Sequence, residues 1–316
     1  MPVKAIRVFA LLFCLVSPAH QAYAQVKAGP ASVIARIRKM RAVVVQIRYS
    51  SNAPNPQPRT VPFDVGARAG TGFFVSPTGY VLTAGHVIRS SEKAAREKGA
   101  TNIVFRVGIL LDTSSTSSIH FSGSFAWVNA TVVDVDEIHD LALLKVSQNP
   151  FTGELKTGIA GPKGMLPFNV RTAKINPRLP ADGENLLVSG YPLEIPTFVS
   201  QRGMVASQSF SIVQVPVPNV RAGFTRPETL DSILLDAVVN PGNSGGPVYD
   251  SESGEVLGIC DAYELAPLVT NKLHSVEIAP GEFLNQNAGL AVVVPIKYAV
   301  DLLRKNGVTD FSVAKN

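Results

Sequence analysis

Short apolar runs recur along this chain, each bounded by Gly, Pro, Ser or Asn. "VVVQIRY" (43–49), "GFFV" (72–75), "YVLTA" (80–84), "NIVFRVGIL" (102–110), "WVNATVVDV" (127–135) and "LALLKV" (141–146) read as strands of a first half. Pro-rich "NAPNPQPRTVP" and Ser-rich "DTSSTSS" lie between them as loops. Residues 149–182 are rich in Gly and Pro and carry little periodicity, so they read as a connection. A second set comes next: "NLLVSGY" (185–191), "FVSQRGMVASQ" (198–208), "FSIVQVPV" (210–217), "SILLDAVV" (232–239), "GPVYD" (246–250), "EVLGICDA" (255–262) and "GLAVVVPI" (289–296). Helical spacing is confined to 31–41, 92–98 and 296–306. The last of these, "IKYAVDLLRKNG", ends in basic residues and a glycine, as a C-terminal helix should. Two sets of short strands with little helix predict an all-β protein of two antiparallel barrels or sandwiches. Only ten residues come after the last helix, so no further domain is expected.

The first 24 residues read as a signal peptide. Lys4 and Arg7 precede an apolar run, Val8 to Val16, and Ala22-Tyr23-Ala24 fits a small-x-small cleavage site. The run is too short to span a bilayer. The expectation is an exported protein, periplasmic or secreted, cleaved near Ala24 and without a stable membrane anchor. Cys260 is then the single remaining thiol, so no internal disulfide can form, and its place after "EVLGI" suggests a buried small side chain. Residues 25–63 carry Lys27, Arg36, Arg38, Lys39, Arg41, Arg48 and Arg59 and no acid. This basic segment reads as the solvated face of a short helix. No basic patch interleaved with aromatics appears, so no nucleic acid is expected. The histidines and cysteine show no metal-ligand spacing, so neither metal nor other cofactor is expected.

"NPGNSGGPVYD" (240–250) sets Ser244 among three glycines and two prolines. Such a frame is either a tight turn or a nucleophile whose backbone must approach a substrate. A serine nucleophile needs an imidazole to take its proton. His20 leaves with the signal, His120 and His274 lie in polar surroundings, and His139 sits in a turn beside an acid. His86 comes after a hairpin and the small residues Ala84 and Gly85, which leave an imidazole room beside a cleft. Asp140 opens the apolar run "LALLKV". A carboxylate there costs free energy unless something accepts its charge, and an imidazole N–H would do so. A turn or capping role remains the alternative for Asp140.

"TAGHV", "HDLALLKV" and "NPGNSGGPV", in the order His, Asp, Ser, resemble the trypsin-like (chymotrypsin-fold) serine proteases, and most nearly the HtrA/Deg-like branch. "GTGFFVSPTGYVLTAGHV", "VSGYPLEIPTFVSQRGMVAS" and "GLAVVVPIKYAVDLLRKNG" extend the likeness over about residues 66–307. The resemblance implies two six-stranded antiparallel β-barrels of the chymotrypsin type with a short C-terminal helix. The expected divisions are 1–24 signal peptide, 25–40 basic segment, 41–148 first barrel, 149–182 connection, 183–295 second barrel and 296–316 helix and tail. The resemblance also implies a serine endopeptidase: His86 the base, Asp140 its orienter and Ser244 the nucleophile. Backbone N–H groups of Gly242 and Ser244, assisted by Asn243, would form the oxyanion hole. Val238 would floor an apolar pocket suited to small or aliphatic residues. The partners implied are protein or peptide substrates; the oligomeric state is not implied. Two features depart from the branch: the usual PDZ domain is missing, and the loop after His86 is long with its own Ser/Thr tract. The alternatives are a catalytically silent binding protein on the same fold, or an esterase whose nucleophile elbow would need strand–turn–helix at Ser244.

Overall fold

The computed structural model describes residues 30–52, 70–110, 125–152, 170–194, 197–211, 231–268, 275–279 and 282–314. The proposed signal peptide, most of the Pro-rich and Ser-rich loops, His20, His120, His274 and most of "FSIVQVPV" fall outside them. The described residues begin with helix α1 (Pro30–Arg41), as the spacing over 31–41 predicts.

Six strands then close a barrel: β1 (Val44–Ser51), β2 (Gly70–Phe74), β3 (Tyr80–Ala84), β4 (Ile103–Leu110), β5 (Phe125–Asp136) and β6 (Leu141–Val146), in the order β1-β2-β3-β6-β5-β4. Successive side chains of a strand face opposite ways, and both faces here are apolar for different reasons. Val81, Leu144, Ala142 and Phe74 fill the barrel interior. Leu82, Leu143, Leu141 and Phe73 point outward into a second core, shared with the rest of the molecule. That is why "LALLKV" is apolar at every position but one. Truncating such a fully buried leucine to alanine typically costs about 2–5 kcal/mol.

The second half contains β7 (Lys174–Ile175), β8 (Asn185–Gly190), β9 (Val199–Ser211), β10 (Asp231–Asp236), β11 (Pro247–Asp250), β12 (Val256–Pro267), β15 (Asn285–Pro295) and β16 (Ser312–Val313). A two-stranded ribbon, β13 (Glu277–Ala279) and β14 (Glu282–Phe283), stands apart. Strands β8, β9, β10, β15, β12 and β11 pair in a closed ring, since β11 bonds to both β8 and β12. Val188, Val248, Cys260 and Val293 pack inside this ring, whereas Leu187, Tyr249, Ile259 and Val294 join the core between the barrels. The two six-stranded antiparallel barrels expected from the resemblance are thus present.

Two differences from the sequence reading stand out. The connection 149–182 is not wholly irregular: β7 lies within it and pairs in parallel with β12 and β16. Helix α2 (Gly85–Glu97) starts seven residues before the predicted 92–98 segment, directly at the end of β3. Its buried stripe of Val87, Ile88, Ser91 and Ala95 is what holds it. Helix α3 (Ile296–Lys305) lies where expected, burying Ile296, Ala299, Val300, Leu302 and Leu303 against the shared core. Lys305 and Asn306 both bond Asp134 of β5, at 2.8 and 2.9 Å, tying α3 to the first barrel.

Candidate active site

His86 sits in the first turn of α2, two residues past β3. Asp140 ends the turn joining β5 to β6. Its φ of 54° is unusual for a non-glycine residue, and its surroundings hold it there. The Asp140 carbonyl accepts the Gly85 N–H at 2.7 Å. The neighbouring His139 bonds Asp136 through Nδ1 at 2.7 Å and stacks on Tyr298 of α3, ring centres 3.8 Å apart.

Across this junction His86 Nδ1 donates to Asp140 Oδ2 at 2.6 Å. Asp140 is 2% exposed, so the carboxylate that accepts this proton is nearly free of water. Its other oxygen, Oδ1, accepts from Arg89, one helical turn beyond His86. With Nδ1 committed as a donor, the neutral imidazole has its lone pair on Nε2. Gly85 is closely packed: a Cβ there would lie 2.8 Å from an Arg89 nitrogen and 3.0 Å from Asp140 Oδ1.

Ser244 lies between β10 and β11, and the chain runs from it into strand β11, not into a helix. That removes the nucleophile-elbow geometry and with it the esterase alternative. The Ser244 hydroxyl donates to the Asp261 carbonyl at 3.0 Å. Asp261 is buried in β12, and its Oδ1 comes within 3.5 Å of His86 Nδ1. One residue therefore touches both the serine hydroxyl and the imidazole. The His86, Asp140 and Asp261 donor atoms all lie within 4.8 Å of one another. The fold brings His86, Asp140 and Ser244 to this one junction; reasoning from motifs missed Arg89, Asp261 and Thr71. The i, i+3 spacing of His86 and Arg89 on a helix was the available signal for the first.

The turn before Ser244 is held from several sides. Gly242 has φ of 100°, and a Cβ on it would sit 2.5 Å from the Tyr191 carbonyl oxygen. Gly245 has φ of 85°, and a Cβ there would lie 2.1 Å from the Thr71 carbonyl oxygen. Both positions demand glycine on backbone and on space. Asn243 differs from the sequence expectation. Its N–H donates to the Asn240 carbonyl at 3.0 Å, so it closes the turn and does not serve as a free donor. Among the described residues, the N–H groups of Gly242 and Ser244 donate to no protein acceptor. Val238 is 54% exposed, and the nearest approach to a Cβ built on Gly289 of β15 is Val238 Cγ2 at 3.9 Å. Asn287 Nδ2 donates to the Val239 carbonyl at 2.5 Å, pinning the adjacent backbone. Cys260 is buried and free, its thiol pushed up to about 12 by burial.

Two six-stranded barrels with His, Asp and Ser brought to their junction are the architecture of the trypsin-like peptidases. The model of the family "Trypsin-like peptidase domain" matches residues 70–259, and the chain belongs to that family. Serine protease HTRA1 of Xenopus laevis is 28% identical over 208 residues, covering 64% of this chain and 33% of that protein. A probable periplasmic serine endoprotease DegP-like of Pseudomonas putida is 27% identical over 267 residues, covering 82% of this chain and 40% of that protein. The chain therefore spans about a third to two-fifths of these relatives. The crystal structure of Rv3671c protease, inactive form, superposes with a TM-score of 0.51 at 21% identity, covering 88% of this chain and 96% of that one; this likeness concerns the fold.

Proposed function

We propose that this protein is an exported serine endopeptidase acting through an acyl-enzyme on Ser244. The observation that carries the reading is the convergence at Asp261: its carbonyl accepts the Ser244 hydroxyl, and its carboxylate lies beside the imidazole that Asp140 orients. In the proposed cycle the Ser244 hydroxyl leaves the Asp261 carbonyl and donates to His86 Nε2. As Ser244 Oγ bonds the substrate carbonyl carbon, its proton moves to Nε2. The imidazolium so formed faces the Asp140 carboxylate and then protonates the leaving amine. Water attacks the acyl-enzyme by the same route in reverse. The Gly242 and Ser244 N–H groups stabilise the negative oxygen of each tetrahedral intermediate, and Asn243 contributes no third donor.

Val238 supports an apolar primary pocket. An uncharged, half-exposed valine offers no counter-charge for Arg or Lys, so small or aliphatic residues before the scissile bond fit best. Export rests on the Lys4–Ala24 pattern and on the naming of the P. putida relative as periplasmic. Among the described residues no helix is long and apolar enough to cross a membrane. Protein or peptide substrates are inferred from the family.

A fluorophosphonate probe tests the reading. The folded protein should be labelled at Ser244 at neutral pH, and Ser244→Ala should abolish labelling. A folded wild-type protein that stays unlabelled would instead favour the catalytically silent binding protein. Cleavage profiling on a peptide library should return Ala, Val or similar residues before the cut; strong Arg or Lys preference would reject the assignment of Val238.

A further inference from the structure

Thr71 belongs to β2 in the first barrel, yet both its N–H and its hydroxyl hold the Ser244 turn of the second. Its N–H donates to the Ser244 carbonyl at 2.9 Å. Its Oγ1 donates to the Gly242 carbonyl at 2.6 Å and accepts the Tyr191 N–H at 3.0 Å. Its carbonyl accepts the Thr83 hydroxyl at 2.7 Å, which anchors Thr71 to the neighbouring β3. Thr71 and Thr83 are both fully buried.

Planarity of the peptide unit turns these contacts into a constraint. Drawing the Gly242 carbonyl to Thr71 Oγ1 aims the Asn243 N–H the opposite way, and it is found on the Asn240 carbonyl at 3.0 Å. Drawing the Ser244 carbonyl to the Thr71 N–H aims the Gly245 N–H away, and it is found on the Cys260 carbonyl at 2.7 Å. The Asn243–Ser244 peptide between these two anchors has its carbonyl on the Gly246 N–H at 2.8 Å, which leaves its own N–H, that of Ser244, aimed the opposite way. Resting on the proposed protease reading, the geometry points to Thr71 as a positioning residue: a latch from the first barrel that sets the oxyanion turn of the second in its donor-inward form. A glycine-rich turn has other conformations open to it. The Thr71 hydroxyl is the side-chain group that selects among them.

The test compares Thr71→Val, which keeps shape and the backbone N–H but removes Oγ1, with Thr71→Ser, which restores it. Thr71→Ala serves as the removal variant should Val not fold. Two readouts are taken on the full chain: the fluorophosphonate labelling rate with kcat and KM on a peptide substrate, and hydrogen exchange of residues 240–246. Thr71→Val should lower the labelling rate and kcat about 10- to 100-fold, less than outright loss of an oxyanion donor, with KM little changed. Exchange in 240–246 should rise in the same variant, and Thr71→Ser should restore both. Wild-type labelling rates in the Val or Ala variant, unchanged exchange, or a Ser variant as slow as Val would each overturn the latch. Exchange needs no activity: if it rises in Thr71→Val while even the wild type resists labelling, the latch stands and the protease reading is what fails.

Discussion

The two barrels share one topology and one core between them, but they treat their site residues in opposite ways. The first barrel holds His86 and Asp140 on short, packed connections: a helix that starts where β3 ends, and a turn stacked on α3. Its acid is bonded on both oxygens and nearly excluded from water. The second barrel presents Ser244 on a glycine-rich turn that owes its shape to partners elsewhere, Tyr191 and the first barrel's Thr71 among them. On the proposed reading, the first barrel supplies the proton-handling pair and the second bears the nucleophile and the donors. Burial suits the acid, whose charge must stay paired. Open backbone suits the nucleophile, because a substrate carbonyl must reach two N–H groups at once.

This contrast can be broken from either side. Ser244→Ala removes the nucleophile and should lower kcat by about 10⁶-fold, as in other serine peptidases. Asp140→Asn leaves the first barrel's shape but offers Nδ1 the wrong partner, so kcat should fall about 10⁴-fold, the loss seen for the same change in this fold. Steady-state kinetics on one peptide checks both, and Asp140→Asn should keep wild-type exchange in 240–246. Gly242→Ala attacks the other unit. Its Cβ collides with the Tyr191 carbonyl, so at least one oxyanion donor is displaced and kcat should drop about 100- to 1,000-fold. Hydrogen exchange should then rise locally in 240–246 and stay unchanged around Asp140.

A smaller effect concerns how α3 braces the first barrel. The Lys305 ammonium and then the Asn306 amide hold Asp134 below the usual carboxylate range. A lowered folded-state value means that this stability is fully present above the unfolded carboxylate value and fades as pH falls through the folded one. Asp134→Asn should therefore lower Tm by no more than about 2 °C at neutral pH, with the difference from wild type closing in strong acid. Thermal melts from neutral pH into strong acid check it. Smallest of all, iodoacetamide should leave Cys260 unmodified in the native protein at mildly alkaline pH and alkylate it in denaturant, because burial disfavours its thiolate.

Much of this was legible in the chain. The apolar runs mark nearly all the long strands, and three short motifs single out His86, Asp140 and Ser244. The features that escaped did so for physical reasons. Helix α2 begins with Gly, His and β-branched Val and Ile, which are poor helix formers, so propensity hides its first turn while the buried stripe reveals it. Strands β7 and β16 are two residues each and carry no period to detect. Asn243 looked like a third donor because neighbouring N–H groups cannot be aimed from sequence; the Gly242 carbonyl bond decides their direction. Arg89 could be read only from its helical spacing to His86, whereas Asp261 and Thr71 join the proposed site only when the two barrels meet, and no spacing along the chain encodes that meeting.

The central claim is that His86 of one barrel and Ser244 of the other serve a single reacting carbonyl. A peptidyl chloromethyl ketone with valine at its reactive end tests it directly, since such a reagent alkylates the imidazole while the serine adds to its carbonyl. Mass spectrometry after treatment at neutral pH should find the peptide containing His86 alkylated stoichiometrically in the wild type. The same reagent should react far more slowly with Ser244→Ala, and full competition by fluorophosphonate should protect His86. Alkylation of His86 that is indifferent to both Ser244→Ala and the fluorophosphonate would contradict the account.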